Sequence, residues 1–320
     1  MLSKMCSEYC GILNSQYILE SQIGSGGFSR VYKAHSENNI FAAKIFEQYN
    51  EEIIKEVERE IKFNQTILES QNHRHFFINY ISSSVNGTLD IDGNKEQKCY
   101  IVFELAPKGN LAQFIESNKT GLNEKHCKII SYKILKALQA LHEIGICHRD
   151  IKAENIFLDG KRFDVKIGDF GLSNFIYGQN GKILQRGIVG SYEYMAPEVN
   201  KGKEYDGEKA DIFSTGILIF TLLKSIFPFP IDEITKKKKY YSVFISKKGE
   251  RYWNILKDLG LEFSPEFKDF FKKMVAYSPS DRPTIEQILN HAWMKEVTDL
   301  NEEEFKIYED DLIEELKKWE

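Results

Sequence analysis

The spacing of hydrophobic and polar positions changes about one third of the way along the chain. Between residues 17 and 46, the apolar segments YILESQI, RVYKAH and IFAAKIF are separated by glycine-rich and polar turns, which is typical of antiparallel strands. Residues 51–68 place apolar side chains at Ile54, Val57 and Ile61, the spacing of a helix with one buried face. The first part of the chain is therefore expected to combine a small sheet with one main helix.

A polar stretch at 86–98 continues this region. It contains two turn signals, Asn86–Gly87 and Asp92–Gly93, and so predicts a connection between two antiparallel strands. The apolar segment KCYIVFEL at 98–105 follows and predicts a buried strand.

From about residue 111 onwards the pattern becomes helical. CKIISYKILKALQALHEIG has a period of about 3.6 residues and ends at Gly145, as a helix would. ADIFSTGILIFTLL is apolar on all sides and predicts a central, buried helix. SPEFKDFFKKMV and TIEQILNHAWM have the pattern of amphipathic helices, and Ser264–Pro265 predicts the start of the first of them.

The acidic tail at 299–320 predicts one more helix. Asn301 and Glu304 match a capping box. The apolar residues that share one face of this helix are Phe305, Tyr308, Leu312, Leu316 and Trp319. The sequence leaves open whether this face docks on the rest of the chain, binds a partner, or belongs to a solvated terminal helix.

Composition sets broad limits on function. The chain has 320 residues, which favours two lobes or domains over one core. Its net charge of −5 argues against a general nucleic-acid binder. The most apolar run, ILIFTLL at 217–223, is too short to span a bilayer. Five scattered cysteines show no metal-ligand or redox spacing, so free thiols and a cytoplasmic location are expected, with a nuclear location left open.

Five short motifs stand in a fixed order: GSGGFSRV at 24–31, AAK at 42–44, HRDIKAEN at 148–155, DFG at 169–171 and APE at 196–198. Together they resemble the signature set of the eukaryotic serine/threonine protein kinases. The resemblance covers residues 17–294 and implies an α+β, bilobal fold, with a small β-rich N-lobe at about 17–105 and a larger, mainly helical C-lobe at about 106–294. Residues 1–16 would be an N-terminal extension and 295–320 the helical tail.

The resemblance implies transfer of the γ-phosphoryl group of ATP to Ser/Thr hydroxyls of protein substrates, with Mg²⁺ as the metal. This chemistry needs positioning and neutralisation of phosphate charge. Asp150 would be the catalytic base, and Lys152 would offset charge on the transferred group. Asn155 and Asp169 would hold Mg²⁺ through hard oxygen ligands. Lys44 would contact the α- and β-phosphates and pair with a glutamate of the first helix.

Three glutamates, Glu56, Glu58 and Glu60, compete for the pairing with Lys44. We select Glu60, because Phe63 and Ile67 follow it at three and seven residues and would pack inward behind it. Asn64 then occupies a position that the family usually fills with an apolar residue.

The resemblance also implies an ATP site built on the glycine-rich turn and the strands beside it. Ser29 stands where the family has its third glycine, Phe103 matches the gatekeeper position, and Glu104 and Ala106 would bind the adenine edge through their backbones. The full predicted set is Ile23, Gly24, Ser25, Gly26, Gly27, Phe28, Ser29, Val31, Ala42, Lys44, Phe103, Glu104, Ala106, Asn155, Phe157 and Asp169.

Two further contacts are implied by the family pattern. Asp211 would bind the backbone of the catalytic loop, and Glu198 of APE would pair with Arg282. The lysine two residues after Asp150, and Ser191 in GSYEYMAPE, favour serine/threonine substrates.

The family pattern also bears on substrate preference and on control by phosphorylation. Glu154 could attract a basic substrate residue, but Asn110 and Thr221 fill positions where strongly basophilic relatives carry acids, so a mild basic preference is expected. In the activation segment, residues 169–198, the family's usual phosphoacceptor lies three residues before Gly190, a position that Gly187 occupies. We therefore hypothesise that the segment needs no phosphorylation, although Arg149 is the arginine that normally receives the phosphate.

Two alternatives remain open at this point: a pseudokinase that binds nucleotide and serves as a scaffold, and a small-molecule kinase of related fold. Motif spacing and HAW at 291–293 resemble those of the calcium/calmodulin-dependent-like group. Protein substrates are the expected partners, with no nucleic acid and no membrane, and the sequence does not specify the oligomeric state.

Overall fold

The computed structural model describes residues 10–160, 162, 164–229, 241–246 and 249–317. The chain divides into two compact units at Pro107–Lys108, and Asp169–Gly171 groups with the first unit. Three sequence features lie outside the described residues: positions 1–9 of the N-terminal extension, the basic run at 236–239, and Trp319 of the tail.

The first unit contains a closed barrel of antiparallel strands in the order β1-β2-β3-β4-β6-β5. Their bounds are β1 Gly11–Leu13, β2 Tyr17–Ser25, β3 Ser29–Ser36, β4 Asn39–Phe46, β5 Tyr80–Ile91 and β6 Asn94–Glu104. The short β1 pairs with both β2 and β5 and thereby closes the barrel. Leu13 of β1 is fully buried in the barrel core with Tyr17, Leu19 and Val102. The extension predicted at 1–16 thus contributes a strand to this unit.

The β5–β6 hairpin uses one of the two turn signals in the polar stretch. Asp92 and Gly93 both have positive φ, 52° and 87°, as a two-residue type I′ turn requires. Asn86–Gly87 instead lies within β5, at a register shift between Ser84 and Gly87. A Cβ atom at Gly87 would lie 2.4 Å from the Tyr100 ring. The prediction of a turn there is wrong, because this glycine marks a bulge where the backbone approaches an aromatic ring.

Helix α1, Glu51–Glu69, matches the prediction to within one residue. The side chain of Asn50 caps it by accepting a hydrogen bond from the Ile53 backbone N–H at 2.9 Å. Its buried face includes Glu60 and Phe63. A turn of 3₁₀ helix, Arg74–Phe76, follows in this unit.

The second unit is mainly helical. The helices whose bounds lie within the described residues are α2 Leu111–Ser117, α3 Glu124–Glu143, α4 Pro197–Asn200, α5 Gly207–Lys224, α6 Gly249–Asp258, α7 Pro265–Met274, α8 Ile285–Leu289, α9 Lys295–Thr298 and α10 Glu302–Leu316, with 3₁₀ turns at Ala153–Asn155 and Pro279–Asp281. Its short strands are β7 Ile146–Cys147, β8 Ile156–Asp159, β9 Asp164–Ile167, β10 Asn174–Phe175, β11 Tyr177–Gly178 and β12 Gly181–Lys182. They pair as β7 with β10, β8 with β9, and β11 with β12. The expected α+β class, with a β-rich first part and a helical second part, is confirmed.

Helix α5 is the buried helix that the apolar run predicts. Every residue from Ala210 to Leu223 is buried. The hydroxyls of Thr215 and Thr221 donate to the carbonyls of Asp211 and Ile217, four residues back. These bonds satisfy polar groups that would otherwise be costly inside an apolar core.

The tail helix α10 docks on α3, which answers the question that the sequence left open. Leu312 and Leu316 are each 1% exposed. The Asp311 carboxylate accepts a hydrogen bond from Lys125 at 2.7 Å, and Glu309 pairs with Lys133 at 2.8 Å. The predicted capping box of Asn301 and Glu304 is also present.

Candidate active site

The candidate site in the first unit centres on the ammonium group of Lys44, on β4. Its Nζ donates to both carboxylate oxygens of Glu60, at 2.8 and 2.9 Å, and to Oδ1 of Asp169 at 2.8 Å. The partner that we selected by helix register is the one that the structure places there. Glu56 and Glu58, the two alternatives, are exposed on α1.

Burial and charge act in opposite directions on this ion pair. Burial works to lower the pKa of Lys44, but the carboxylates of Asp169 and Glu60 outweigh it and raise the pKa above its ordinary value. Burial raises the pKa of Glu60, and Lys44 opposes this rise. Lys44 therefore stays an ammonium at physiological pH. Its positive charge could bind a negatively charged phosphate group.

Asn64, the polar residue at an expected apolar position, is accommodated within α1. It is 2% exposed, and its Nδ2 donates to the Glu60 carbonyl at 2.9 Å. Because the amide bonds to the residue four positions earlier, the helix keeps its register, and Glu60 keeps its place on the buried face.

The glycine-rich turn connects β2 and β3, and the Gly26 N–H donates to the Ser29 carbonyl at 2.7 Å. Phe28 at its tip is 60% exposed. A Cβ atom at Gly27 would meet no atom within 4 Å, and at Gly24 the nearest atom is 3.6 Å away. Neither glycine needs a left-handed φ. Packing within the chain therefore does not require glycine at positions 24 and 27. The space beside these two glycines would let a ligand approach the backbone closely.

The other predicted nucleotide-binding residues of the first unit lie on neighbouring strands. Val31 pairs with Lys44 across β3 and β4, and Ala42 pairs with Phe103 across β4 and β6. The Glu104 N–H donates to the Asn79 carbonyl at 2.9 Å. The remaining members are Ile23 and Ser25 on β2, Ser29 on β3, and Ala106 just after β6. Phe157 lies on β8, in the second unit.

In the second unit, Asp211 holds the backbone at the start of the catalytic loop, residues 148–155. Its carboxylate accepts hydrogen bonds from the backbone N–H groups of His148 and Arg149, both at 2.8 Å, and lies 2.9 Å from His142 Nε2. The predicted contact of Asp211 with this loop is confirmed. Arg149 has a left-handed φ of 66°, a strained conformation that must be held by its surroundings.

Four predicted residues form one connected cluster next to this backbone. Oδ1 of Asp150 accepts the Ser191 N–H at 2.7 Å. Its Oδ2 lies 2.9 Å from Lys152 Nζ and accepts a bond from Asn155 Nδ2 at 3.2 Å. Lys152 Nζ in turn donates to the Ser191 hydroxyl at 2.8 Å. A carboxylate fixed by an ammonium, an amide and a backbone N–H can orient a hydroxyl and accept its proton.

A magnesium site can be judged from its donor atoms. Among the described residues, no group of three or more His, Cys, Asp and Glu side chains could hold a metal by itself. In the first unit Asp169 offers a carboxylate. In the second unit Asn155 offers an amide oxygen, because its amide nitrogen bonds to Asp150.

The predicted pair of Glu198 and Arg282 is confirmed. Arg282 is 2% exposed, and its two terminal nitrogens donate to the two Glu198 oxygens at 2.6 and 2.8 Å. Such a bidentate pair fixes the position of the segment that carries Glu198.

A comparison with family models identifies the chain. Residues 17–294 match the model described as the protein kinase domain. The chain belongs to the protein kinase family.

Relatives of this kinase place it among the serine/threonine kinases. It is 36% identical over 284 residues to serine/threonine-protein kinase kin-29 of Caenorhabditis elegans, covering 87% of this chain and 31% of that protein. It is 33% identical over 295 residues to serine/threonine-protein kinase 10 of Danio rerio, covering 89% and 27%. Testis-specific serine/threonine-protein kinase 1 of Mus musculus is 30% identical over 286 residues, covering 87% and 72%. The chain thus spans about a third of kin-29, and membership of the calcium/calmodulin-dependent-like group stays a prediction.

The sequence motifs did not indicate the roles of two residues near the site of this kinase. A Cβ atom at Gly190 would lie 2.5 Å from the Arg149 carbonyl oxygen, so this glycine lets the segment before Ser191 approach the catalytic loop. Gln185 is buried within the activation segment, and no spacing or residue pattern marked it.

Among the helices of the described residues, none has the length and apolar character that a membrane span needs.

Proposed function

We propose that this kinase transfers the γ-phosphoryl group of Mg-ATP to serine and threonine hydroxyls of protein substrates. The observation that carries the proposal is that the second unit holds Asp150, Lys152, Asn155 and Ser191 in one hydrogen-bonded cluster. The first unit holds the Lys44 ammonium group between two carboxylates.

Lys44 would bind the nucleotide phosphates. Glu60 fixes its Nζ at 2.8 Å, so the ammonium need not be ordered when ATP binds. The backbone of the glycine-rich turn would lie over the phosphates, where Gly24 and Gly27 leave room for them. Ile23, Val31, Ala42 and Phe103 would surround the adenine.

Asn155 and Asp169 would hold Mg²⁺. The ion, when bound, neutralises phosphate charge and orients the terminal phosphate. Asp169 has a left-handed φ of 62°, which is uncommon for a residue other than glycine and typical of a functional position.

Asp150 would receive the hydroxyl of the substrate. Its carboxylate orients the oxygen for attack and accepts the proton as the new bond to phosphorus forms. Lys152 lies 2.9 Å from this carboxylate and would offset negative charge on the transferred group. Ser191 bonds to Asp150 through its N–H and to Lys152 through its hydroxyl, and so holds both side chains.

Protein substrates with only a mild basic preference fit this chain. Thr221 is 4% exposed and bonds back into α5, and Asn110 is engaged as the cap of α2. Neither position offers a negative charge to a substrate arginine, whereas Glu154 is exposed.

We also propose a cytoplasmic location, which the four free thiols of the described cysteines support.

The test is phosphorylation of an arrayed serine/threonine peptide library by the purified chain with Mg-ATP, read by mass spectrometry. We expect phosphate on serine or threonine, lost on chelation of Mg²⁺ and strongly reduced in Lys44→Met. Thermal stabilisation of the chain by Mg-ATP, without transfer to any peptide or protein, would contradict the proposal and favour the scaffold alternative.

A further inference from the structure

Residues 172–198 of the activation segment contain the short strands β10, β11 and β12 and the first residues of helix α4. In many kinases this segment becomes ordered when a phosphate on Ser, Thr or Tyr pairs with arginine. Here, no Ser or Thr lies between Ser173 and Ser191. Tyr177, which is 58% exposed, is the one hydroxyl side chain in that interval.

The arginine that would receive a phosphate is already engaged. Nε of Arg149 donates to the Leu172 carbonyl at 2.6 Å, and Nη1 reaches the Arg186 carbonyl at 3.5 Å. Two backbone carbonyls of the segment thus accept hydrogen bonds from this guanidinium group. Arg186 itself pairs through its own side chain with Glu204 at 2.8 Å.

Gln185 connects the strands within the segment. It is 1% exposed. Its Nε2 donates to the carbonyls of Phe175 and Ile183, both at 3.1 Å, and its Oε1 accepts from Asn174 Nδ2 at 2.7 Å. Its backbone exchanges two hydrogen bonds with Tyr205, at 2.7 and 3.0 Å. Both side-chain donors and the side-chain acceptor are therefore satisfied inside the protein.

These bonds join the segment to the catalytic loop. Asn174 pairs in β10 with Cys147 of β7, the residue before His148. Tyr205 precedes Asp206, the N-cap of α5, and Lys182 pairs with Asp206 at 2.7 Å. Gln185 thus connects three parts of the second unit through hydrogen bonds. They are the start of the segment, the strand before the catalytic loop and the start of α5.

We propose that Gln185 is a positioning residue that holds the activation segment in place of a phosphate, so that phosphoryl transfer does not require phosphorylation of this segment. The inference rests on the proposed kinase function, because it concerns the control of that site. Gln185 acts through the segment that ends in Ser191, whose N–H bonds to Asp150.

The experiment uses the full chain after phosphatase treatment, with mass spectrometry to show that residues 172–198 carry no phosphate. Gln185→Ala is compared with Gln179→Ala, an exposed glutamine of the same segment. Asn174→Ala is a second variant, because it removes the amide that donates to Gln185. Tyr177→Phe removes the one hydroxyl side chain between Ser173 and Ser191. The kcat and the KM for ATP are measured on the peptides that the library identifies, with hydrogen exchange of residues 172–190.

We expect the dephosphorylated chain and Tyr177→Phe to keep full activity. Gln185→Ala and Asn174→Ala should lower kcat about tenfold or more, as expected for unpaired buried groups, with little change in the KM for ATP. Hydrogen exchange of the segment should rise in both variants, and Gln179→Ala should match the unmodified sequence in every measurement.

Loss of activity on removal of a phosphate from this segment would overturn the inference. So would equal kcat and equal hydrogen exchange in Gln185→Ala and Gln179→Ala. Hydrogen exchange does not depend on substrate, so it tests the role of Gln185 even if the library shows no transfer, the result that would contradict the proposed function instead.

Discussion

At the scale of single residues, Lys44 and Glu60 show how a catalytic charge is held. Glu60 is 2% exposed and lies on the same helix face as Phe63. Packing of the apolar neighbours therefore sets the position of the carboxylate, and the carboxylate sets the position of the ammonium. An uncompensated buried charge would be costly, which makes the pair interdependent.

Replacing Glu60 should lower catalytic efficiency without unfolding the chain. Glu60→Gln keeps the shape of the side chain but removes the charge that orients Lys44. We expect kcat/KM to fall about 10- to 100-fold, as for loss of a hydrogen bond to a charged group. Steady-state kinetics on a library-selected peptide measures the change.

The controls are Glu56→Gln and Glu58→Gln, because both side chains are exposed on the same helix. Either control falling as far as Glu60→Gln would show that the register of α1 does not determine the function of Lys44.

Replacing either of two glycines of the barrel by alanine should have opposite effects on stability and on ATP binding. A methyl group at Gly24 would meet its nearest atom at 3.6 Å, whereas one at Gly87 would lie 2.4 Å from the Tyr100 ring. Gly24→Ala should raise the KM for ATP several-fold and leave the melting temperature unchanged or slightly higher. Gly87→Ala should lower the melting temperature and leave the KM for ATP of the folded enzyme unchanged.

Thermal unfolding and ATP titrations on the two variants separate these effects. If Gly24→Ala destabilised the chain and left the KM for ATP unchanged, the glycine-rich turn would serve the fold rather than the nucleotide.

At the scale of elements, the tail helix α10 is part of the second unit. Leu312 and Leu316 are buried against that unit, and Glu309 and Asp311 pair with basic residues. Ile307 on the same helix is 60% exposed. The helix thus has one docked face and one solvated face.

Leu312→Ala should destabilise the second unit by about 2–4 kcal/mol, the range for a buried leucine truncated to alanine. Ile307→Ala should change stability by less than about 0.5 kcal/mol, as is usual at exposed positions. Urea unfolding monitored by circular dichroism provides both values. Equal, small effects from the two variants would indicate that α10 is not docked in solution.

At the scale of the whole molecule, the ordered motifs and helical periodicity predicted most of the site. The spacing of Glu60 from Phe63 predicted its face, and the family pattern predicted the contacts of Asp211 and Arg282. Roles of the nucleotide-binding residues stay predictions, because geometry alone does not show what they bind.

Other features depend on partners that sequence spacing does not encode. Three residues, Gly11–Leu13, are too few to show a strand period, and their place follows from pairing with β5. Gln185 is buried because carbonyls elsewhere in its segment accept its protons. The apolar face of α10 was visible in the sequence, but α3 as its partner was not.

The most direct test of the proposed function separates nucleotide binding from phosphoryl transfer in Asp150→Asn. Mg-ATP affinity is measured by calorimetry, and transfer to a library-selected peptide is measured by mass spectrometry. The account predicts an affinity within about twofold of the unmodified chain and a kcat lower by about 10²–10⁴-fold. Transfer at an unchanged rate in Asp150→Asn would contradict it.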